Sequence, residues 1–155
     1  MNILKEGDLA PTFNAIDQHG KTINLEQYKG KKLVLYFYPK DNTPGCTAEA
    51  CDFRDNYQSL ISKGIEVIGV SVDDEKSHQK FIEKFTLPFT LIADTDKKLV
   101  ETYGVWAEKN NYGKKYMGTN RTTFIIDEKG YILHIIKKVD TKKSSKQVLE
   151  LLEIS

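Results

Sequence analysis

An unbroken apolar and aromatic run over residues 33–38, Leu-Val-Leu-Tyr-Phe-Tyr, constrains this chain more than any other stretch. It has the length of a strand, and no polar residue alternates with the apolar ones, so both of its faces must be buried. A second strand-length segment, 65–72, also reads as fully buried. Between them Phe53, Tyr57, Leu60 and Ile61 recur at helical spacing, and Lys63-Gly64 supplies a glycine stop. Strand, helix and strand in that order make a βαβ unit with parallel strands, in the middle of a sheet covered by helices.

The flanking segments extend this unit. Residues 11–17 and 22–25 enclose Gln18-His19-Gly20-Lys21, a gap of hairpin length, and 26–30 fits one helical turn. Asp73-Asp74-Glu75 places acids at the start of a helix whose apolar positions are Phe81, Ile82 and Phe85, closed by Leu87-Pro88. A short strand over 90–93 follows, then a helix capped by Asp94 or Thr95 and reaching Tyr103-Gly104. Residues 107–120 are polar, lysine-rich and broken by glycine, which predicts a loop with at most an edge strand. Segments 122–127 and 131–137 flank Glu128-Lys129-Gly130 as a further hairpin, and Ser144 or Ser145 is expected to cap a last helix carrying Val148, Leu149, Leu151, Leu152 and Ile154. The expected class is α/β: a central mixed β-sheet with helices on both faces and an N-terminal β-hairpin, for which a thioredoxin-like fold is the nearest common arrangement. No repeat or linker interrupts it, so residues 1–155 are expected to form a single domain.

Both cysteines, Cys46 and Cys51, lie where the first buried strand hands over to its helix. Thr43 followed by Pro44 is a helix-start signal: a hydroxyl cap, then a proline whose missing N–H costs nothing there. Cys46 falls in the first turn, where unpaired N–H groups and the positive end of the helix dipole favour its anionic, nucleophilic thiolate. Cys51 is five residues on. On an intact helix that spacing separates the two by about 140° around the axis and roughly 8–9 Å between Cα atoms. A disulfide rarely spans more than about 7 Å, so a 46–51 bridge requires the first turns to unwind.

Composition narrows the alternatives. A domain of 155 residues buries about 70% of its unfolded surface without disulfides or metals. The 23 basic and 22 acidic residues leave a net charge of +1, which argues for neither nucleic acid nor a membrane surface as partner. Only Arg54 and Arg121 are arginine, so a planar, permanently charged fork has two candidates. The first residues show no targeting pattern and no run approaches membrane-spanning length, so a cytoplasmic location is expected. A reducing compartment suits two cysteines whose disulfide is transient. His19, His78 and His134 share no metal-ligand spacing with the cysteines, and no metal site is expected.

A thiolate that attacks the O–O bond of a peroxide becomes a sulfenic acid, which a nearby thiol condenses to a disulfide. The Thr43 hydroxyl, N–H groups near Gly45 and Cys46, and an arginine are the available donors. Pro39-x-x-x-Thr43-x-x-Cys46 is similar to the active-site signature of the peroxiredoxins, and the stretch from Thr43 to Cys51 resembles the peroxiredoxin Q, or bacterioferritin comigratory protein, subgroup. Further similarity lies in Tyr103-Gly104-Val105-Trp106, Tyr112-Gly113, Tyr116-Met117-Gly118 and Arg121-Thr122-Thr123-Phe124-Ile125-Ile126-Asp127. The resemblance covers nearly the whole chain; one departure is Thr119-Asn120, where the subgroup more often has an apolar residue.

The resemblance implies a thioredoxin fold and a thiol-dependent peroxidase acting on hydrogen peroxide and organic hydroperoxides without a cofactor. It implies that Cys46 is the peroxidatic and Cys51 the resolving cysteine, that Thr43 and Arg121 orient the peroxide, that Pro39, Gly45 and Pro44 shape its site, and that Glu49 orients Arg121. It also implies that thioredoxin or a glutaredoxin-like dithiol reduces the disulfide. Because the chain lacks a C-terminal cysteine and the Gly-Gly-x-Gly element of the dimeric peroxiredoxins, a monomer with intramolecular resolution is expected. Two other readings compete: a disulfide oxidoreductase, whose cysteines are normally two residues closer, and a non-enzymatic redox sensor.

Overall fold

The computed structural model describes residues 3–154. Along the chain it contains β1 (Asn14–Ile16), β2 (Thr22–Asn24), a 3-10 turn (Leu25–Tyr28), β3 (Lys32–Phe37), α1 (Pro44–Ser62), β4 (Ile65–Ser71), α2 (Glu75–Phe85) and β5 (Thr90–Ala93). There follow α3 (Lys98–Thr102), β6 (Trp106–Asn111), β7 (Lys114–Thr119), β8 (Thr122–Ile126), β9 (Ile132–Ile136) and α4 (Ser144–Leu151). The central sheet has the order β5-β4-β3-β8-β9. β3, β4 and β5 are parallel, whereas β8 is antiparallel to both β3 and β9, which makes the mixed sheet expected from the residue pattern. β1 and β2 form the N-terminal hairpin.

Alternation within β3 explains its unbroken apolar run. Leu33, Leu35 and Phe37 join a core with Ile68, Val70, Ile92 and Phe124, packed against Leu99, Val100 and Tyr103 of the α3 region and Phe13 and Ile23 of the N-terminal segment. Val34, Tyr36 and Tyr38 point the other way, into a core with Phe53 and Leu60 of α1, Phe81 of α2 and Val148 of α4. Helices therefore lie on both faces, three on one and the short α3 on the other. Cys46 belongs to the three-helix side.

Two local expectations are corrected. Residues 106–119 form an antiparallel hairpin rather than a loop: β6 and β7 pair only with each other, turning at Tyr112 and Gly113, both at positive φ (53° and 82°). Most side chains of this hairpin are exposed, so no buried face produced an apolar alternation in its sequence. In α4 the N-cap is Lys143, without a side-chain cap bond, and the buried Ser144 and Ser145 lie inside the first turn, where they reach α1. Asp94 does serve the start of α3, accepting from the N–H groups of Leu99 and Val100 at 3.1 and 2.9 Å. No helix among the described residues is long and apolar enough to cross a membrane.

Gly69 in β4 sits directly opposite Tyr36 of β3. A Cβ there would lie 2.9 Å from the Tyr36 ring and 2.7 Å from Leu91 Cδ2, so the aromatic layer over β3 needs glycine at this position. Gly69→Ala is expected to lower the unfolding free energy by about 1–3 kcal/mol through overpacking, measured as a drop in the urea midpoint.

Candidate active site

Strand pairing brings together residues far apart in sequence. β3 ends at Phe37, whose partner in β8 is Thr122, so Arg121 stands beside the exit of β3. From that exit the chain runs through Pro39 to Thr43 and enters α1 at Pro44. Thr43 occupies the N-cap with extended backbone (φ −102°, ψ 156°), and Pro44 takes the first helical position as expected. The Thr43 hydroxyl, however, makes no cap bond; it donates to the Lys40 carbonyl at 2.9 Å. Cys46, in the first turn, is 1% exposed.

The Arg121 guanidinium bridges two groups of α1. Its Nη2 donates to Cys46 Sγ at 3.1 Å and its Nη1 to Glu49 Oε1 at 2.9 Å. Gly45 is what allows this approach, since a Cβ there would lie 3.2 Å from Nη2. Burial works to lower the pKa of Arg121, but the charge and hydrogen bonds of Cys46 and Glu49 outweigh it and raise the value above its ordinary range. The cation is permanent, and it faces the Cys46 sulfur on one side and the Glu49 carboxyl on the other. Of the two arginines, Arg54 lies elsewhere, donating to the Phe85 carbonyl at the end of α2 and pairing with Asp55.

Glu49 is fully buried and satisfied at both oxygens, because Ser144 Oγ lies 3.0 Å from Oε2. Burial pushes its carboxyl up to about 7, against the opposing pull of Arg121 and Ser144. Ser144 serves either protonation state: it donates to the carboxylate, or accepts from the acid while its own hydrogen goes to the Asp140 carbonyl at 2.8 Å. This partner of Glu49 was not visible in the sequence, where a serine before a helix reads as a cap.

Cys51 is half-buried on the same unbroken helix, and both cysteines are free thiols. Pro39 is half-buried and Pro44 exposed at the edge of the loop. On the far side of Arg121 lies a cavity of about 570 Å³ whose walls include Tyr103, Val105, Phe124, Ile135 and Lys109. Lys109, on the hairpin read as a loop, is a second cation near the sulfur. Burial and then the Arg121 charge hold its pKa below the ordinary value, while Cys46 acts in the opposite sense. Among the described residues no group of three or more His, Cys, Asp or Glu is arranged to hold a metal.

Residues 7–135 match the AhpC/TSA family. The chain belongs to that family. It is 48% identical over 147 residues to the peroxiredoxin Bcp of Bacillus subtilis (strain 168), covering 95% of this chain and 94% of the relative. To the peroxiredoxin Bcp of Escherichia coli (strain K12) it is 43% identical over 153 residues, covering 99% and 98%. It is also similar to a solved structure of the Xanthomonas campestris bacterioferritin comigratory protein, determined to study that protein's alkyl peroxide reduction activity. There the TM-score is 0.85 with 35% identity, over 91% of this chain and 90% of that one. The chain is thus a peroxiredoxin of the Bcp or Q kind with the thioredoxin-like fold, an oxidoreductase that uses a thiol to reduce peroxides.

The raised Glu49 value has a thermodynamic consequence. Between its ordinary value of 4.5 and about 7 the folded protein holds a proton that the unfolded chain has lost. Stability therefore falls as pH rises through this window and levels off above it. Urea unfolding of wild type and Glu49→Gln across the window should show the variant flatter with pH, by up to about 3 kcal/mol between the two ends.

Proposed function

We propose that Cys46 is the peroxidatic cysteine of a two-cysteine peroxidase that acts on hydrogen peroxide and organic hydroperoxides. The observation that carries this reading is the 3.1 Å contact of Arg121 with the Cys46 sulfur at the start of α1. Arg121 donates to the peroxide oxygens and to the developing charge, and Gly45 leaves room for its fork. Thr43 has given its hydrogen to Lys40, so its oxygen is free to accept from the O–H of the peroxide. The sulfur lone pair attacks the distal oxygen, the O–O bond breaks, and the leaving alkoxide or hydroxide takes up a proton, leaving Cys46 as a sulfenic acid. The apolar cavity beside Arg121 is of the size that small-molecule sites have and gives an organic chain a place to lie.

Cys51 then resolves the sulfenic acid. Its thiolate attacks the Cys46 sulfur, hydroxide leaves and is protonated to water, and an intramolecular disulfide forms. Since α1 is continuous from Pro44, this step requires its first turns to unwind. Thioredoxin or a glutaredoxin-like dithiol supplies two electrons and two protons to restore the thiols, and the protein works as a cytoplasmic monomer of one domain. Pro39 and Pro44 hold the loop and Glu49 aims Arg121.

Peroxide turnover should be followed with thioredoxin, thioredoxin reductase and NADPH. Cys46→Ser is expected to abolish it. Cys51→Ser should lose thioredoxin-coupled recycling yet still form one sulfenic acid per chain, trapped by dimedone. Undiminished turnover by Cys46→Ser would end this reading. Mass spectrometry of peroxide-treated wild type should find a 46–51 bridge within one chain; a disulfide-linked dimer as main product would overturn the monomeric mechanism.

A further inference from the structure

The loop that leads into α1 is fixed by a buried charged network that the chemistry above leaves unused. Asp41 is 7% exposed and His78, on α2, is 0% exposed. His78 Nδ1 lies 2.7 Å from Asp41 Oδ2, and its Nε2 lies 2.8 Å from the Ile92 carbonyl of β5. That carbonyl can only accept, so Nε2 carries a hydrogen. Asp41 already accepts from the Tyr38 hydroxyl at 2.6 Å and the Ser77 hydroxyl at 2.8 Å, as a carboxylate does. Nδ1 therefore donates too, and the pair is an imidazolium against a carboxylate.

The same network grips the backbone. The Asp41 N–H donates to Asp73 Oδ2 at 2.8 Å, and Ser71 holds that same oxygen at 2.6 Å. The next residue, Asn42, is kept in the left-handed region (φ 57°) and accepts from Lys84 of α2 at 3.3 Å. Such a conformation persists only where surrounding contacts enforce it. Only Asn42 and Thr43 separate this anchor from Pro44. At the other end of the segment, Asp52 is pinned by the Ser145 N–H at 2.7 Å. The residues that must unwind to join Cys46 and Cys51 lie between these two anchors.

We infer that the Asp41–His78 pair is a positioning device for this reaction: it holds the loop in front of Cys46, and its release, with loss of the His78 proton, accompanies unwinding of the start of α1. This rests on the reading of Cys51 as the resolving thiol. A small pocket of about 160 Å³ lined by Asp41, Asn42, Ser77 and Phe81 opens beside the pair, where loop and helix are joined by the polar contacts above. Burial acts to neutralise His78, but the hydrogen bond and charge of Asp41, the Ile92 carbonyl and the Asp73 charge outweigh it and hold the proton above the ordinary range. In the released loop the imidazole returns to a value near about 6.5. The wound form thus has this stabilisation in full below about pH 6.5 and loses it as pH rises through the folded value. Unwinding becomes easier with pH across that window, by at most about tenfold per pH unit, the limit for one proton.

The test is amide hydrogen exchange of the reduced protein between about pH 6 and 8.5. Protection factors for residues 47–51, the first amides of α1 with a backbone partner, should fall severalfold with pH in wild type, while those of residues 53–61 stay constant. In His78→Gln and Asp41→Asn, protection of 47–51 should be low already at the acid end and keep only the smaller slope contributed by Glu49, which Glu49→Gln removes. A flat wild-type profile, or variants that keep the wild-type slope, overturns the inference. Should both variants misfold, NMR titration of the His78 ring in wild type decides: its midpoint should drop toward the ordinary value when the 46–51 disulfide forms, and an unchanged midpoint overturns the inference. Exchange needs no peroxide, so it gives its answer even where peroxide treatment yields no 46–51 bridge, a result that would sink the resolving role of Cys51 instead.

Discussion

The contact between Arg121 and Cys46 depends on β3 being paired on both sides. One edge receives β4 in parallel, which forces the crossover through α1 and sets the start of that helix at the exit of β3. The other edge receives β8 antiparallel in the register Phe37 to Thr122, which delivers Arg121 to the same exit. A one-residue slip of either ladder would move its side chains to the opposite face of the sheet. The apolar layers on both faces of β3 hold that register, so the core fixes the site geometry although few core residues touch the sulfur.

Around this contact the protein has buried a chain of polar groups, Ser144 to Glu49 to Arg121 to Cys46, in place of further packing. A buried charged pair contributes little net stability, because desolvation cancels much of the attraction. What it supplies is direction. Arg121 has one carboxylate on one side and one sulfur on the other, and its fork cannot satisfy both in another orientation. The raised Glu49 value is the cost of holding an acid where water cannot reach it.

Much of this was legible in the residues, and the exceptions have physical reasons. The βαβ unit followed from two buried strands, and the place of Cys46 in a first turn followed from Thr43-Pro44. Arg121 came only through a family resemblance, since a lone arginine before a strand carries no local signal. The Thr43 hydroxyl serves the Lys40 carbonyl rather than the helix, a choice between two nearby partners that spacing cannot decide. Ser144 reads as a cap in the sequence because the pattern of a helix start does not report what the first turn packs against. The 106–119 hairpin escaped because its strands pair with each other and face solvent, and its turn uses Tyr112, not the usual asparagine, at positive φ. His78 looked like an isolated histidine because its partners lie 37 and 14 residues away.

The uneven composition of α1 fits the proposal that this helix both activates Cys46 and yields to let Cys51 reach it. Its first two turns contain Pro44, Gly45, Thr47 and two cysteines, and the side chains they bury are small or polar: Cys46, Glu49 and Ala50. Glycine, threonine and cysteine are weak helix formers, and an alanine removes little apolar surface from water. From Phe53 onward the helix is anchored by large side chains, with Phe53 and Leu60 fully buried. The beginning is thus held by hydrogen bonds and charge and the remainder by packing. Hydrogen bonds and ion pairs can be exchanged for water or lost with a proton, whereas a buried Phe53 cannot leave without opening the core. The proposed unwinding can therefore stop at Asp52 while the sheet that places Arg121 stays intact.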